Sequence, residues 1–205
     1  MTSTSFRYRI SQKCLSAIGL FVLIFFISQA AFAQGWLRHY PAGTDEAPRQ
    51  LLIAPNGDFV FAGVGYTNNK GHYYLQRNDA NGNPIWSKTI EVPGQYFDPY
   101  IFLNFLTNCP GGGIVAGGNA LLTNGLQTEL VFKISDAGDS LWLSMPDPGI
   151  GGIMHSAIAS PDGNLLTGST EELVSSVQQT AVLRKIDPAN GSVIWTKSYP
   201  PQPIP

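Results

Sequence analysis

Short apolar segments alternate with turns rich in Gly, Asn, Asp and Pro along most of the chain. The apolar segments are five to seven residues long, and several show the period-two alternation that is typical of β-strands. No window combines a helical period with a cap at each end. The pattern therefore predicts an all-β chain with strands at residues 50–54, 59–63, 73–77, 100–106, 114–118, 130–134, 153–159, 165–169 and 181–186.

A polar turn followed by an apolar residue and a tryptophan closes each group of three predicted strands. It occurs at residues 79–88 (DANGNPIWSK), 136–142 (DAGDSLW) and 187–197 (DPANGSVIWTK). We expect Asp79, Asp136 and Asp187 to open equivalent hairpin turns, each leading into a fourth strand whose tryptophan points into a core. A repeat period near 50 residues is typical of propeller blades or a similar array. Here the intervals are 50, 56 and 53 residues, between Trp36, Trp86, Trp142 and Trp195.

These repeats divide residues 34–199 into about three units of four antiparallel strands, at 41–90, 91–145 and 146–199. We expect the second strand of each unit to end in a crowded glycine, which is Gly63, Gly117 or Gly168. Residues 35–40 match only a closing strand, and residues 200–205 match the start of a further repeat or a tail.

The number of units bears on closure of the array. Three are fewer than the four to eight blades that close a propeller. We therefore expect an open, incomplete propeller that is either the N-terminal piece of a longer ring or completed by self-association through its open blade edges.

The first 33 residues have the layout of a secretory signal peptide. A basic segment with Arg7, Arg9 and Lys13 precedes the apolar run 14–27, and the small-residue pattern 31–33 follows. An uncleaved membrane anchor is the alternative interpretation. Cleavage would remove three basic residues and no acidic ones, leaving nine Lys and Arg against fourteen Asp and Glu. We therefore expect a secreted, extracellular or periplasmic protein with no stable membrane span after cleavage and no affinity for nucleic acid.

The order of glycine turn, strand, glycine, loop, strand, Asp-containing turn and Ile/Leu-Trp resembles the tryptophan-containing β-propeller repeats of secreted bacterial proteins. The resemblance covers about residues 35 to 199 and implies a fold similar to that of the quinoprotein-alcohol-dehydrogenase superfamily. It says less about activity, since such blades serve as enzymes, adhesins and scaffolds. The quinone-dependent enzymes of that group have eight blades, a Glu/Asn/Asp calcium site and often a vicinal cysteine pair. With three units and Cys109 as the one cysteine left after cleavage, dehydrogenase activity is not expected.

The sequence offers few residues for chemistry. His39, His72 and His155 fall at different places in the repeat and lack zinc-ligand spacing. The turn at 79–83 looks like the start of a calcium loop, but its other copies break the ligand spacing. Cys109 has no basic neighbour that would stabilise a thiolate, which favours a buried, inert thiol. We therefore expect no metal and no cofactor.

An aromatic cluster between the first and second units is the candidate binding site. We place Tyr96, Phe97 and Tyr100 in an inter-blade connection, where propeller rims bind proteins or glycans, although tyrosines also pack in cores. The sequence thus favours a secreted, non-catalytic β-propeller segment with a structural or recognition role. The alternative is a fragment of an extracellular quinoprotein-like or glycan-active enzyme whose active site needs further blades.

Overall fold

The computed structural model describes residues 47–67, 70–92, 96–122, 127–146, 151–172 and 179–199. The predicted signal peptide 1–33, the predicted closing strand 35–40 with Trp36, and residues 200–205 lie outside the described residues. Within the described ranges, no helix is long and apolar enough to cross a membrane.

Twelve strands form three four-stranded sheets. The first sheet contains β1 (Ala47–Ile53), β2 (Phe59–Thr67), β3 (Lys70–Asn78) and β4 (Pro84–Glu91). The second contains β5 (Tyr96–Asn108), β6 (Ile114–Leu122), β7 (Gln127–Ile134) and β8 (Ser140–Ser144). The third contains β9 (Gly151–Ala159), β10 (Leu165–Glu172), β11 (Gln179–Ile186) and β12 (Val193–Tyr199).

In every sheet, strands that follow one another along the chain are neighbours and pair antiparallel. The all-β class and the four-stranded blades predicted from the sequence are therefore confirmed. Among the described residues, the first sheet packs on the second and the second on the third, without closing a ring. The arrangement is compatible with an open, propeller-like fold.

The turns between β3 and β4 and between β7 and β8 share one hydrogen-bond pattern, which corrects our alignment of the repeats. In the turn between β3 and β4, the Asp79 N–H donates to Asn83 O, and in the turn between β7 and β8 it is Ser135 N–H that donates to Asp139 O. Ser135 is therefore the equivalent of Asp79, and Asp136 stands one position later. The extra aspartate of the sequence DAGDS hid this offset, because either Ser or Asp can open such a turn.

The second strand of each sheet continues past the glycine that we expected at its end. Gly63, Gly117 and Gly168 consequently lie inside β2, β6 and β10. A Cβ at Gly63 would lie 2.1 Å from Ala47 O, and one at Gly117 would lie 2.4 Å from Leu130 O. At Gly168 the nearest atom to such a Cβ is a serine hydroxyl 3.3 Å away, so that position is less crowded.

Each first strand contains a β-bulge. Shifts in strand register leave Arg49, Asn104 and His155 as the extra residues of β1, β5 and β9. Next to these bulges, Gln50 Nε2 donates to Asn104 O at 3.0 Å, and Asn104 Nδ2 donates to Met154 O at 2.7 Å. Side-chain hydrogen bonds therefore connect the first strands of all three sheets.

Two apolar clusters fill the spaces between the sheets. The cluster between the first and second sheets includes Tyr73, Leu75 and Phe132, and the cluster between the second and third includes Val131 and Met154. Val131 and Phe132 are neighbours in β7, and both are 0% exposed. Because neighbouring side chains on a strand point to opposite faces, the second sheet is buried on both sides.

The structure corrects the placement of the aromatic cluster. Tyr96 and Phe97 lie at the beginning of β5, not in a connecting loop, and Tyr100 lies in the same strand, in agreement with the predicted strand at 100–106. Tyr96 pairs with Leu122, and the register is irregular from there to Ile101. An edge strand with an irregular register tolerates the proline at position 99. Aromatic residues also favour strands.

We predict that Asn104→Ala lowers the free energy of unfolding by about 1–3 kcal/mol, because the Met154 carbonyl oxygen and Asn119 Oδ1 each lose the hydrogen bond from Asn104 Nδ2. Urea denaturation monitored by circular dichroism measures the change. Asn108→Ala is the matched control. Asn108 lies on the same strand as Asn104, and the substitution removes one hydrogen bond, from Asn108 Nδ2 to Ile53 O at 3.2 Å. An Asn104 variant no less stable than the control would contradict the proposed link between the first strands.

Candidate functional site

The most regular side-chain feature of the structure is a tryptophan opposite a basic residue. Trp86 pairs with Arg77 across β3 and β4, Trp142 with Lys133 across β7 and β8, and Trp195 with Lys185 across β11 and β12. Paired residues on adjacent strands project from the same face of the sheet. All three tryptophans are half-buried.

The first pair holds the turn of the second sheet. Trp86 Nε1 and Arg77 Nη1 both donate to the Asp136 carbonyl oxygen, at 3.0 and 3.2 Å. The indole lies against Gly138, where a Cβ would be 3.0 Å from two of its ring atoms. Gly138 has a φ of 92°, which favours glycine, and it leaves room for the ring. We call this set of tryptophan, opposite cation and shared turn carbonyl a clasp.

A second clasp joins the second and third sheets with the same groups. Trp142 Nε1 and Lys133 Nζ both donate to the Pro188 carbonyl oxygen, each at 3.1 Å. The indole lies against Gly191, where a Cβ would be 2.6 Å from a ring carbon. Pro188 is the second residue of its turn, as Asp136 is of the preceding one. The clasp thus repeats from one sheet boundary to the next.

Arg77 makes additional ion pairs at the first clasp. Its Nη1 lies 2.8 Å from Asp136 Oδ1, and its Nε lies 3.0 Å from Asp58 Oδ2. The hydrogen bond from Arg77 holds the pKa of the Asp136 carboxyl below its ordinary value, assisted by the Gly113 N–H. The guanidinium therefore connects the Asp58 turn of its own sheet to the turn of the next sheet.

The two sheet boundaries differ at one equivalent position. At the first, the Tyr73 and Phe132 rings pack in a tilted arrangement with their centroids 5.0 Å apart. At the second, the corresponding residues are Glu129 and Arg184, and Glu129 Oε2 lies 2.7 Å from Arg184 Nη1. An aromatic pair at one boundary is replaced by a buried ion pair at the other.

The charged pair sits in a polar cluster. Arg184 is 0% exposed and also binds the Ser169 hydroxyl at 2.7 Å and the Glu171 carboxylate. Burial raises the pKa of Glu129 against the opposing effect of Arg184. Glu129 Oε1 has no hydrogen-bond partner among the described residues. The cluster holds two carboxylates around one guanidinium, which makes this boundary electrostatically distinct from the first.

The other expected site residues do not converge on one place. The backbones of Tyr96, Phe97 and Tyr100 lie in β5, and their binding role stays a prediction because their side chains lie outside the described residues. Cys109 is buried, and burial raises the pKa of its thiol. His155 Nε2 lies 3.0 Å from the Thr170 hydroxyl.

The two remaining histidines and Asp187 do not form a common metal site among the described residues. His72 is buried in β3, and His39 lies outside the described residues. Asp187 opens the turn of the second clasp, and its Oδ1 accepts the Ala189 N–H at 2.8 Å. In the described ranges, no group of three or more His, Cys, Asp or Glu side chains is placed to hold a metal ion.

Reading the sequence for chemistry missed the residues that join the sheets. Arg77 and Lys133 each stand nine positions before a tryptophan, and Lys185 stands ten before the next. That spacing was the available signal for the clasp. Glu129 and Arg184 had no such signal, because nothing in a single strand shows which residue of another sheet it will face.

Comparisons with known proteins identify no family. No protein-family model matches the chain, and a search of curated proteins finds no match.

We predict that Gly191→Ala destabilises the protein by about 2–4 kcal/mol. An alanine at this positive φ is strained, and its Cβ would in addition overlap the Trp142 ring. Gly163→Ala is the matched control, because Gly163 has a φ of 85° but nothing within 4 Å of its Cβ position. The control should cost only about 1–2 kcal/mol. Equal costs in chemical denaturation would show that the indole does not rest on the turn.

We predict that copying the aromatic pair into the second boundary is tolerated only as a double substitution. Arg184→Phe alone should cost about 3–5 kcal/mol, because it leaves Glu129 buried without its cation. Glu129→Tyr together with Arg184→Phe should restore stability to within about 1 kcal/mol of the parent or exceed it. A double-mutant cycle in urea measures the coupling, and additive effects would refute the equivalence of the two positions.

We predict that Arg77→Met raises the pKa of Asp136 toward its ordinary value. A carboxyl whose pKa is lowered by folding contributes stability that is present above its unfolded pKa, and that stability is lost as pH falls through the folded pKa. The variant should therefore lose less stability on acidification than the parent. Carboxyl NMR titration and denaturation at several pH values below 5 test both statements, with Lys70→Met as a control for charge removal at an exposed position of the same strand.

Proposed function

We propose that this chain is an exported, non-catalytic β-propeller-type module with a structural or recognition role. The repeated clasp is the observation that carries the proposal. At both sheet boundaries it uses a tryptophan and a basic side chain, the residue types that often bind ligands, to hold a backbone carbonyl of the next sheet. These groups serve internal cohesion.

The buried ion pair supports the same interpretation. Catalytic carboxylates must face a substrate, and their pKa values are set for that task. Glu129 instead faces Arg184 of the adjacent sheet, and Glu171 binds the same guanidinium. The most deeply buried ion pair among the described residues therefore joins two sheets. Export is inferred from the N-terminal sequence pattern.

The recognition role rests on exposed apolar and aromatic positions of the sheets. Large apolar side chains such as Ile158 and Tyr199 are 61% and 51% exposed. Apolar groups that gather on one surface mark interaction sites in soluble proteins. A protein or glycan partner fits this chemistry better than a nucleic acid, because the chain carries more acidic than basic residues.

The test uses the exported protein, purified from its producing cell, with its N-terminus and intact mass determined. We expect a product that begins at Gln34 and shows no turnover on panels of glycosides, peptides and alcohols, the last with a redox dye and with added calcium and quinone. Binding is then measured on protein and glycan arrays. Specific turnover would overturn the proposal and favour the enzyme alternative, and retention of residues 1–33 in membranes would overturn export.

A further inference from the structure

The third sheet exposes the face that the other two sheets bury. This face, called the open face here, is formed by Ile158, Leu166, Leu183, Lys185 and Trp195, with Ala181, Lys197 and Tyr199 at one side. Strand pairing places these residues together, since Leu166 pairs with both Ile158 and Lys185, and Lys185 pairs with Trp195. Ile158 is 61% exposed and Leu183 is 40% exposed.

The positions equivalent to Leu183 are completely covered in the other two sheets. Leu183 stands two residues before the basic member of its pair, as Leu75 and Val131 do in the first and second sheets. Both of those side chains are 0% exposed, because the next sheet packs on them. The open face therefore corresponds, position by position, to the faces that are buried at the two boundaries between sheets.

Trp195 and Lys185 also reproduce the donor half of a clasp. In the part of the chain that the structure describes, no carbonyl of another sheet lies at this pair. Lys185 binds Asp162 in its own sheet, as Arg77 binds Asp58 while still donating to the next turn. The local ion pair is therefore compatible with a second acceptor.

Lys197 extends the correspondence with the first clasp. Its Nζ lies 5.6 Å from the centre of the Trp195 ring, and it stands two residues after the tryptophan, as Lys88 stands after Trp86. Lys88 lies against the docked turn of the second sheet, since a Cβ at Gly138 would be 3.2 Å from its Cε.

We propose that the open face is the docking surface for a further four-stranded repeat of this class. The second residue of that repeat's turn between its third and fourth strands would present a carbonyl to Trp195 and Lys185, and a glycine of positive φ would lie under the indole. At the position that holds Tyr73 or Glu129 in the other sheets, the open face has Ala181. The residue of the docked repeat that faces Ala181 is the equivalent of Phe132 and Arg184. We expect it to be bulky and apolar, and not an arginine.

This inference rests on the proposed function, because it names the partner that a recognition module of this type would accept. A glycan could contact Trp195 and Tyr199, but sugar binding gives no reason for a basic residue opposite the tryptophan. A second copy of this chain is the other candidate occupant. Both are outcomes of the test.

The test extends the chain after Tyr199 with a second copy of residues 92–145, which brings its own Phe132 and the turn containing Asp136 and Gly138. The readouts are exchange of the Trp195 indole N–H, assigned by comparison with Trp195→Phe, and the melting temperature. We expect at least tenfold slower indole exchange and a higher melting temperature in the extended chain. The matched control carries Gly138→Leu in the added copy only, and it should lose the protection.

The outcomes separate the candidates. Unchanged exchange in the extended chain would overturn the docking surface while leaving the proposed function, which the turnover assay judges independently. Protection in the unextended chain that grows with its concentration would make a second copy the occupant and overturn the proposal. Protection by oligosaccharides alone would do the same in favour of a glycan. If the control unfolds its added repeat, Trp195→Phe in the extended chain tests the contact, since it should lower the gain in melting temperature.

Discussion

A backbone carbonyl held by two donors from the neighbouring sheet is the interaction on which the described structure depends. In each clasp, an indole N–H and a basic side chain converge on the second residue of a turn, and the ring rests on a glycine of that turn. A turn carbonyl exposed to solvent would gain little from one such bond. Two donors beside a half-buried aromatic ring hold it in one orientation and so set the position of the next sheet.

The clasps act at the fourth strands, and the side-chain hydrogen bonds of Gln50 and Asn104 act at the first strands. Gln50 and Asn104 join the bulged first strands through backbone carbonyls, while the apolar clusters fill the space between the two edges. Each boundary is therefore fixed at two sides around a hydrophobic centre. This division explains why a chain with few charged residues places several of them between sheets, where a directed bond fixes register that apolar packing leaves looser.

The two boundaries differ in their central pair, which is aromatic at the first and charged at the second. This difference favours one order of the sheets. If the second and third sheets exchanged places, Tyr73 would face Arg184, and this buried guanidinium would lose Glu129 as its partner. The cost of an unpaired buried charge exceeds the net gain from most single contacts. The ion pair thus favours one order of sheets, even though the aromatic pair would serve a single boundary equally well. At the open face the equivalent residue is Ala181, which would require a third kind of partner, a bulky apolar side chain.

Much of the fold followed from local sequence, and the sheet boundaries did not. Strand periodicity, Gly-containing turns and the recurring tryptophan determined an all-β chain of four-stranded repeats, because these signals depend on a few adjacent residues and on backbone geometry. Local reading misplaced Tyr96 and Phe97 in a loop, because it began the strand at residue 100 and the pairing of Tyr96 with Leu122 is not visible in the sequence. It also aligned Asp136 with Asp79, because the turn sequence alone does not show which residue opens the turn.

The pairings between sheets were decided only by tertiary structure. That Arg77 and Trp86 share the Asp136 carbonyl, or that Glu129 meets Arg184, depends on how one sheet rotates and slides against another. Residues 55 or 59 positions apart along the chain are brought together by that packing. Local sequence preferences do not report such contacts, because the contacts exist only after both sheets have formed.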